Sequence, residues 1–112
     1  MDVAVVGLGW WGQKVLDERA GSERVRVVLG VDPVPAGRER GEARGLRTTA
    51  DLRVALAAPA IDAVVLCSPH RFHSAQIVAA AEAGKHVFCE KPFSTTVADA
   101  DVALAAVAAA GV

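Results

Sequence analysis

Asp2-Val3-Ala4-Val5-Val6-Gly7-Leu8-Gly9-Trp10-Trp11-Gly12 decides the fold of this chain. The apolar run Val3–Val6 is short and has no polar alternation, so it reads as a strand buried on both faces of a parallel sheet. Gly-x-Gly-x-x-Gly follows at once and reads as a tight turn into a helix. The first amides of that helix have no intrahelical acceptor and lie at the positive end of its dipole, which makes the turn a site for a pyrophosphate. Gly7 allows the turn, Gly9 lets the ligand approach the backbone, and Gly12 lets helix and strand pack closely. Trp10 and Trp11 occupy the variable positions of the motif and are counted with it as cofactor-binding.

The rest of the chain alternates strands and helices. A helix is expected over residues 13–20 and a second strand over Val25–Val31, closed by Asp32-Pro33. Residues 33–45 carry prolines, glycines and alternating Arg and Glu, and read as a solvated loop with at most a weak helix. A short third strand is expected at Leu46–Thr48, then Thr49 as the N-cap of a helix over Leu52–Ala57. Residues 62–67 read as a fourth strand ended by Ser68-Pro69, and His73–Ala83 as a helix stopped by Gly84. His86–Cys89 reads as a fifth strand, followed by a capping-box-like Thr96–Asp99 pair and a last helix over Val97–Ala110. This order predicts an α/β fold with a doubly wound, mainly parallel sheet of about five strands, in one domain over residues 1–112.

Bulk properties narrow the function classes. A net charge of −1 gives no footprint for nucleic acid or for anionic membranes. No apolar run reaches the ~18 residues of a membrane span. The start lacks the basic flank of a signal peptide, so the expected location is cytoplasmic. Cys67 and Cys89 have no metal-ligand spacing and read as buried strand thiols.

Asp32 stands about 20 residues past Gly12, where an acid accepts hydrogen bonds from the adenine-ribose hydroxyls. A 2′-phosphate there would face a carboxylate, which favours NAD over NADP. Arg38 and Arg40 in the next segment could offset that charge. Ser68-Pro69-His70-Arg71-Phe72-His73 follows the fourth strand at the crevice outside the carboxyl ends of the sheet. His73 is expected near the bound cofactor. No metal site is expected, since neither histidine has a cysteine or carboxylate at ligand spacing. Glu90-Lys91-Pro92 follows the fifth strand at the same crevice, where a lysine can stabilise a developing alkoxide. His86 reads as structural.

Gly7–Gly12, Ser68-Pro69-x-x-x-His73 and Ala83-Gly84-Lys85-His86-Val87-Phe88-Cys89-Glu90-Lys91-Pro92 together resemble the glucose–fructose oxidoreductase / inositol dehydrogenase / MocA family. The resemblance spans the chain, and its last stretch is the most specific. It implies a Rossmann-type domain that binds NAD or NADP and serves hydride transfer at a CH–OH carbon of a sugar or polyol. By it Lys91 is the catalytic residue beside nicotinamide and substrate, with Glu90 and Pro92 shaping the site. Ser68, Pro69 and His73 line the cofactor pocket, and the Lys91–Pro92 bond is cis. The family's second domain, with the substrate pocket and an acid/base histidine, is not found in these residues. The chain alone is therefore expected to bind NAD(H) without turnover. The alternative is a non-catalytic NAD(H)-binding module, or a subunit completed by a separate chain. An open sheet edge at the fifth strand further predicts self-association.

Overall fold

The computed structural model describes all of residues 1–112. Its elements run β1 (Asp2–Val6), α1 (Trp10–Arg19), β2 (Arg26–Val31), α2 (Pro35–Glu42), β3 (Thr48–Thr49), α3 (Leu52–Ala57), β4 (Ala63–Leu66), a 3-10 turn (His70–Phe72), α4 (His73–Glu82), β5 (His86–Cys89) and α5 (Val97–Ala110). The strands form one sheet in the order β3-β2-β1-β4-β5. Every pairing is parallel, with Val5 opposite Gly30 on one side and Val65 on the other. No helix is long and apolar enough to cross a membrane.

The β1 residues Val3–Val6 are buried because both faces of the sheet are covered. On one face Ala4, Val6, Leu29, Val31, Val64 and Leu66 pack with Ala55 of α3, Ile77 and Ala80 of α4 and Ala103 of α5. On the other Val5 packs with Leu8 and Leu16 of α1. Turning to one side of β1 with helices on one face, and to the other side with helices on the opposite face, keeps the crossovers of one hand. The reversal at β1 opens a crevice over the carboxyl ends of β1 and β4.

Three local readings are corrected. Residues 33–45 hold a true helix, α2, with Pro35 as its first residue, the position a proline's fixed φ favours. Its glycines are required by packing: a side chain at Gly37 would run into the Asp32 carboxylate, and one at Gly41 would press on Thr48 and Leu8. α1 starts at Trp10, not at residue 13, so Gly12 sits within its first turn. Asp51, not Thr49, caps α3, by accepting the Arg53 N–H at 2.9 Å. The Thr49 hydroxyl instead accepts the Asp51 N–H at 3.2 Å. The Thr96–Asp99 pair does cap α5: Thr96 Oγ1 accepts the Asp99 N–H at 3.1 Å and donates to Asp99 Oδ2 at 2.7 Å.

Candidate functional site

The crevice is a cleft of about 800 Å³. Its floor is the glycine turn. Gly7 has φ +90, and a side chain there would strike the backbone of Cys67 and Ser68 at 2.7 Å. Gly12 lies so close to the Gly7 carbonyl that no side chain fits between helix and strand. Gly9 differs from both: nothing lies within 4 Å of where its Cβ would point. The first intrahelical bond of α1 is Gln13 N–H to Gly9 O at 3.0 Å, and no side chain caps the helix. The amides ahead of that bond have no intrahelical acceptor, and the space beside Gly9 is open. These features fit a pyrophosphate, since a bare backbone, unspent donors and the dipole's positive end converge there.

Asp32 fixes the turn. Its Oδ2 accepts the Leu8 N–H at 2.8 Å and its Oδ1 accepts the Val34 N–H at 2.8 Å, with the residue only 8% exposed. The Leu8 carbonyl is held from the other side by Gln13 Nε2 at 3.1 Å and by Arg40 Nε and Nη2 at 3.3 Å. Gln13 Oε1, beside the same turn, is the buried side-chain polar atom left without a partner.

The cleft wall contains Gly7, Gly9, Trp10, Trp11, Asp32, Ser68 and Pro69. Trp10 is 66% exposed and meets Trp11 edge-on at 4.6 Å between ring centroids. Ser68 Oγ donates to Gln76 Oε1 at 2.5 Å. The wall also includes Val34, Arg40, Arg71, Phe72 and Gln76. Arg40 is the charged residue the sequence offers beside Asp32, and Arg71 and Phe72 belong to the Ser68–His73 stretch expected at the crevice, whereas Val34 and Gln76 carry no sequence signal for it. Arg71 and Phe72 form a cation–π pair at 4.5 Å, and their signal was their place in the turn after β4.

Other expected residues lie elsewhere. Gly12 is buried behind the turn. His73 does not line the cleft: it is 1% exposed, with Nε2 at 2.8 Å from Ser68 O and Nδ1 at 2.9 Å from Pro92 O. A histidine at the start of α4 points inward between two loop carbonyls, and a neutral ring can donate its one N–H to either of them. Glu90 faces a separate hollow of about 440 Å³, shared with Trp11, Lys14 and Phe88. Lys91 is exposed in the next loop, and the Lys91–Pro92 peptide is cis. His70 and His86 are exposed.

Cys67 and Cys89 are half-buried rather than fully buried. Burial pushes the Cys67 thiol up to about 12, with the Glu90 carboxylate and Cys89 adding to the rise. Burial and then Glu90 push Cys89 up to about 11. Both are poor nucleophiles at neutral pH. Sequence reasoning assigned nothing to Lys85. It is buried, and its Nζ donates to Ala58 O at 2.8 Å and Ile61 O at 2.7 Å, behind the end of α3.

Known proteins resemble this chain in sequence and in fold. Inositol 2-dehydrogenase of Rhodococcus erythropolis is 40% identical over 110 residues, covering 96% of this chain and 31% of its own length. Scyllo-inositol dehydrogenase from Lactobacillus casei, solved with bound NAD(H) and scyllo-inositol, superposes with a TM-score of 0.89 at 28% identity. That match covers 99% of this chain and 34% of the other. The WlbA dehydrogenase from Bordetella pertussis, solved with NADH and UDP-GlcNAcA, gives a TM-score of 0.92 at 31% identity over 98% of this chain and 34% of its own. The chain thus spans about a third of the length of the relatives it matches. The Gfo/Idh/MocA family, described as an oxidoreductase family with an NAD-binding Rossmann fold, matches residues 1–112 throughout. With the glycine turn, the parallel sheet and the crevice in place, the chain belongs to this oxidoreductase family through its NAD-binding Rossmann domain.

Proposed function

We propose that residues 1–112 are the cofactor-binding part of a dehydrogenase acting on a CH–OH carbon of a sugar or polyol, with NAD(H) preferred over NADP(H). The observation that carries this reading is the open space at Gly9, beside unspent helix amides and backed by the Asp32 clamp on Leu8. Gly9, Trp10 and Trp11 would hold the pyrophosphate, Asp32 would face the adenosine ribose, and Ser68 and Pro69 would bound the cleft beside the turn, where Gly7 meets the Ser68 backbone. Gly7 and Gly12 would act by shaping the turn, and His73 by bracing Ser68. When bound, a nicotinamide supplies the hydride donor or acceptor. Lys91 has no protein hydrogen-bond partner and lies in the loop beyond β5 at the same end of the sheet. Its ammonium is free to stabilise a substrate alkoxide. Glu90 and Pro92 set that loop, Glu90 through its N–H bond to Leu66 O at 2.9 Å.

The relatives named for inositols motivate the substrate class, and the chain's one-third share of their length makes turnover a property to be sought with the remaining two-thirds present. Both tryptophans of the chain lie in the cleft wall, so their fluorescence reports on its occupancy. Titrating residues 1–112 with NADH should quench that fluorescence to saturation. Folded protein that binds neither NADH nor NADPH would refute the proposal.

A further inference from the structure

Three aromatic rings stand in the cleft wall, those of Trp10, Trp11 and Phe72. Two of them already hold a cation of the protein. Lys14 Nζ lies over the Trp10 ring at 5.9 Å, and the Arg71 guanidinium lies over Phe72 at 4.5 Å. No protein cation lies over the Trp11 ring. Its neighbour Trp10 meets it edge-on, with 78° between the ring planes. Trp11 is 49% exposed, so much of its surface is open to a ligand.

Trp11 also differs from the other two in place. Its backbone belongs to the glycine turn, while its side chain borders both the cleft and the hollow shared with Phe88 and Glu90. The sheet order sets β2, which ends at Asp32, on one side of β1, and β4 and β5 on the other. A dinucleotide with its pyrophosphate at Gly9 and its adenosine ribose at Asp32 therefore extends its other half toward β5. That is the side Trp11 takes. The ring arriving there is a nicotinamide, a cation when oxidised and neutral when reduced. An indole face attracts a cation through its quadrupole, more strongly than the other aromatic side chains do. The charged groups of the adjoining hollow balance in number, Glu18 and Glu90 against Lys14 and Arg19. The open indole is thus the feature on that side that tells the two forms apart.

We propose that Trp11 sets the redox preference of this cleft: its open indole face receives the oxidised nicotinamide and favours NAD+ over NADH relative to an aliphatic residue at the same place. The assignment rests on the cofactor reading above. Calorimetric titrations with NAD+, NADH and ADP-ribose, which lacks the nicotinamide, test it. W11L removes the π face and should weaken NAD+ at least about threefold more than NADH, the loss of one cation–π contact. It should weaken ADP-ribose no more than NADH. W11F keeps a poorer π face and should fall between. Wild-type protein saturated with NAD+ should also show a long-wavelength absorption shoulder, the signature of an indole against a pyridinium, which ADP-ribose does not produce. A W11L protein that melts like the wild type and loses NAD+ and NADH alike, or neither, overturns the assignment. Wild-type protein that binds ADP-ribose as tightly as NAD+ and shows no shoulder also overturns it, and leaves the dehydrogenase reading standing. If W11L does not fold, W11F and the wild-type shoulder decide by the same criteria. Failure of every ligand with folded wild-type protein overturns that reading, and this inference with it.

Discussion

The Leu8 backbone N–H donates to the Asp32 carboxylate across 2.8 Å of buried space, so the acid closing β2 holds the glycine turn that follows β1. An aspartate placed by its spacing as a ribose partner is also a structural clamp. D32A should strand two amides, lowering unfolding free energy by about 1–3 kcal/mol in urea melts. It should also loosen the turn and weaken NADH binding by roughly tenfold or more, about the worth of one good hydrogen bond to a charged group. D32N keeps one oxygen and should lose less of both.

The three motif glycines should separate stability from binding. Gly9 has φ −71 and open space around its missing Cβ, so G9A should melt like the wild type. The added methyl would occupy the space proposed for the pyrophosphate, and NADH affinity should fall about tenfold or more by titration. G12A forces a methyl against the Gly7 carbonyl. It should destabilise the fold by roughly 1–3 kcal/mol, as overpacking does.

The thiols predict an alkaline limit. Cys67 titrates near 12 and Cys89 near 11 in the folded protein, against an ordinary value of 9.0. The folded state holds those protons longer than the unfolded chain does. Their stabilising contribution is therefore complete below about pH 9 and is lost as pH rises toward 12. Urea midpoints measured from pH 8 upward should decline across that window, and C67A should flatten the decline. Alkylation by iodoacetamide at neutral pH should be slow until the protein unfolds.

Lys85 should matter to the fold and not to the ligand. Its ammonium satisfies the carbonyls of Ala58 and Ile61, where the end of α3 is electronegative. K85M should cost about 1–3 kcal/mol in a chemical melt, the range for stranding buried acceptors. Its NADH affinity should stay within error of the wild type.

β5 is an edge of the sheet, and its Phe88 is 61% exposed beside Trp11. Unpaired edges with apolar side chains associate. Residues 1–112 produced alone should show concentration-dependent self-association in sedimentation velocity, reduced by F88K. A single monomeric species at high concentration would contradict this.

Much of this architecture was legible because local chemistry and long-range packing agree. The apolar runs of β1, β4 and β5 and the glycine stop after α4 read correctly. α2 did not, because Gly37 and Gly41 are poor helix formers in isolation. They are present because Asp32 and Leu8 leave no room for larger residues, a tertiary demand that composition cannot display. Asp32 and the glycine turn could be placed from spacing, whereas Arg40 became distinct from Arg38 only when α2 set one in the cleft and turned the other onto Pro33. His73 was drawn toward the cofactor by its position at the head of α4. Its actual direction depends on where the Pro92 loop passes, which no spacing in the sequence encodes.

The His73 ring, spanning the carbonyls of Ser68 and Pro92, works as a strut between the lips of two adjacent loops. Ser68 borders the cleft, while Pro92 follows the exposed lysine. The buried ring thus gives the cleft-side loop and the lysine-bearing loop one shared anchor, so the spacing between Ser68 and the Lys91–Pro92 turn is set from inside the fold.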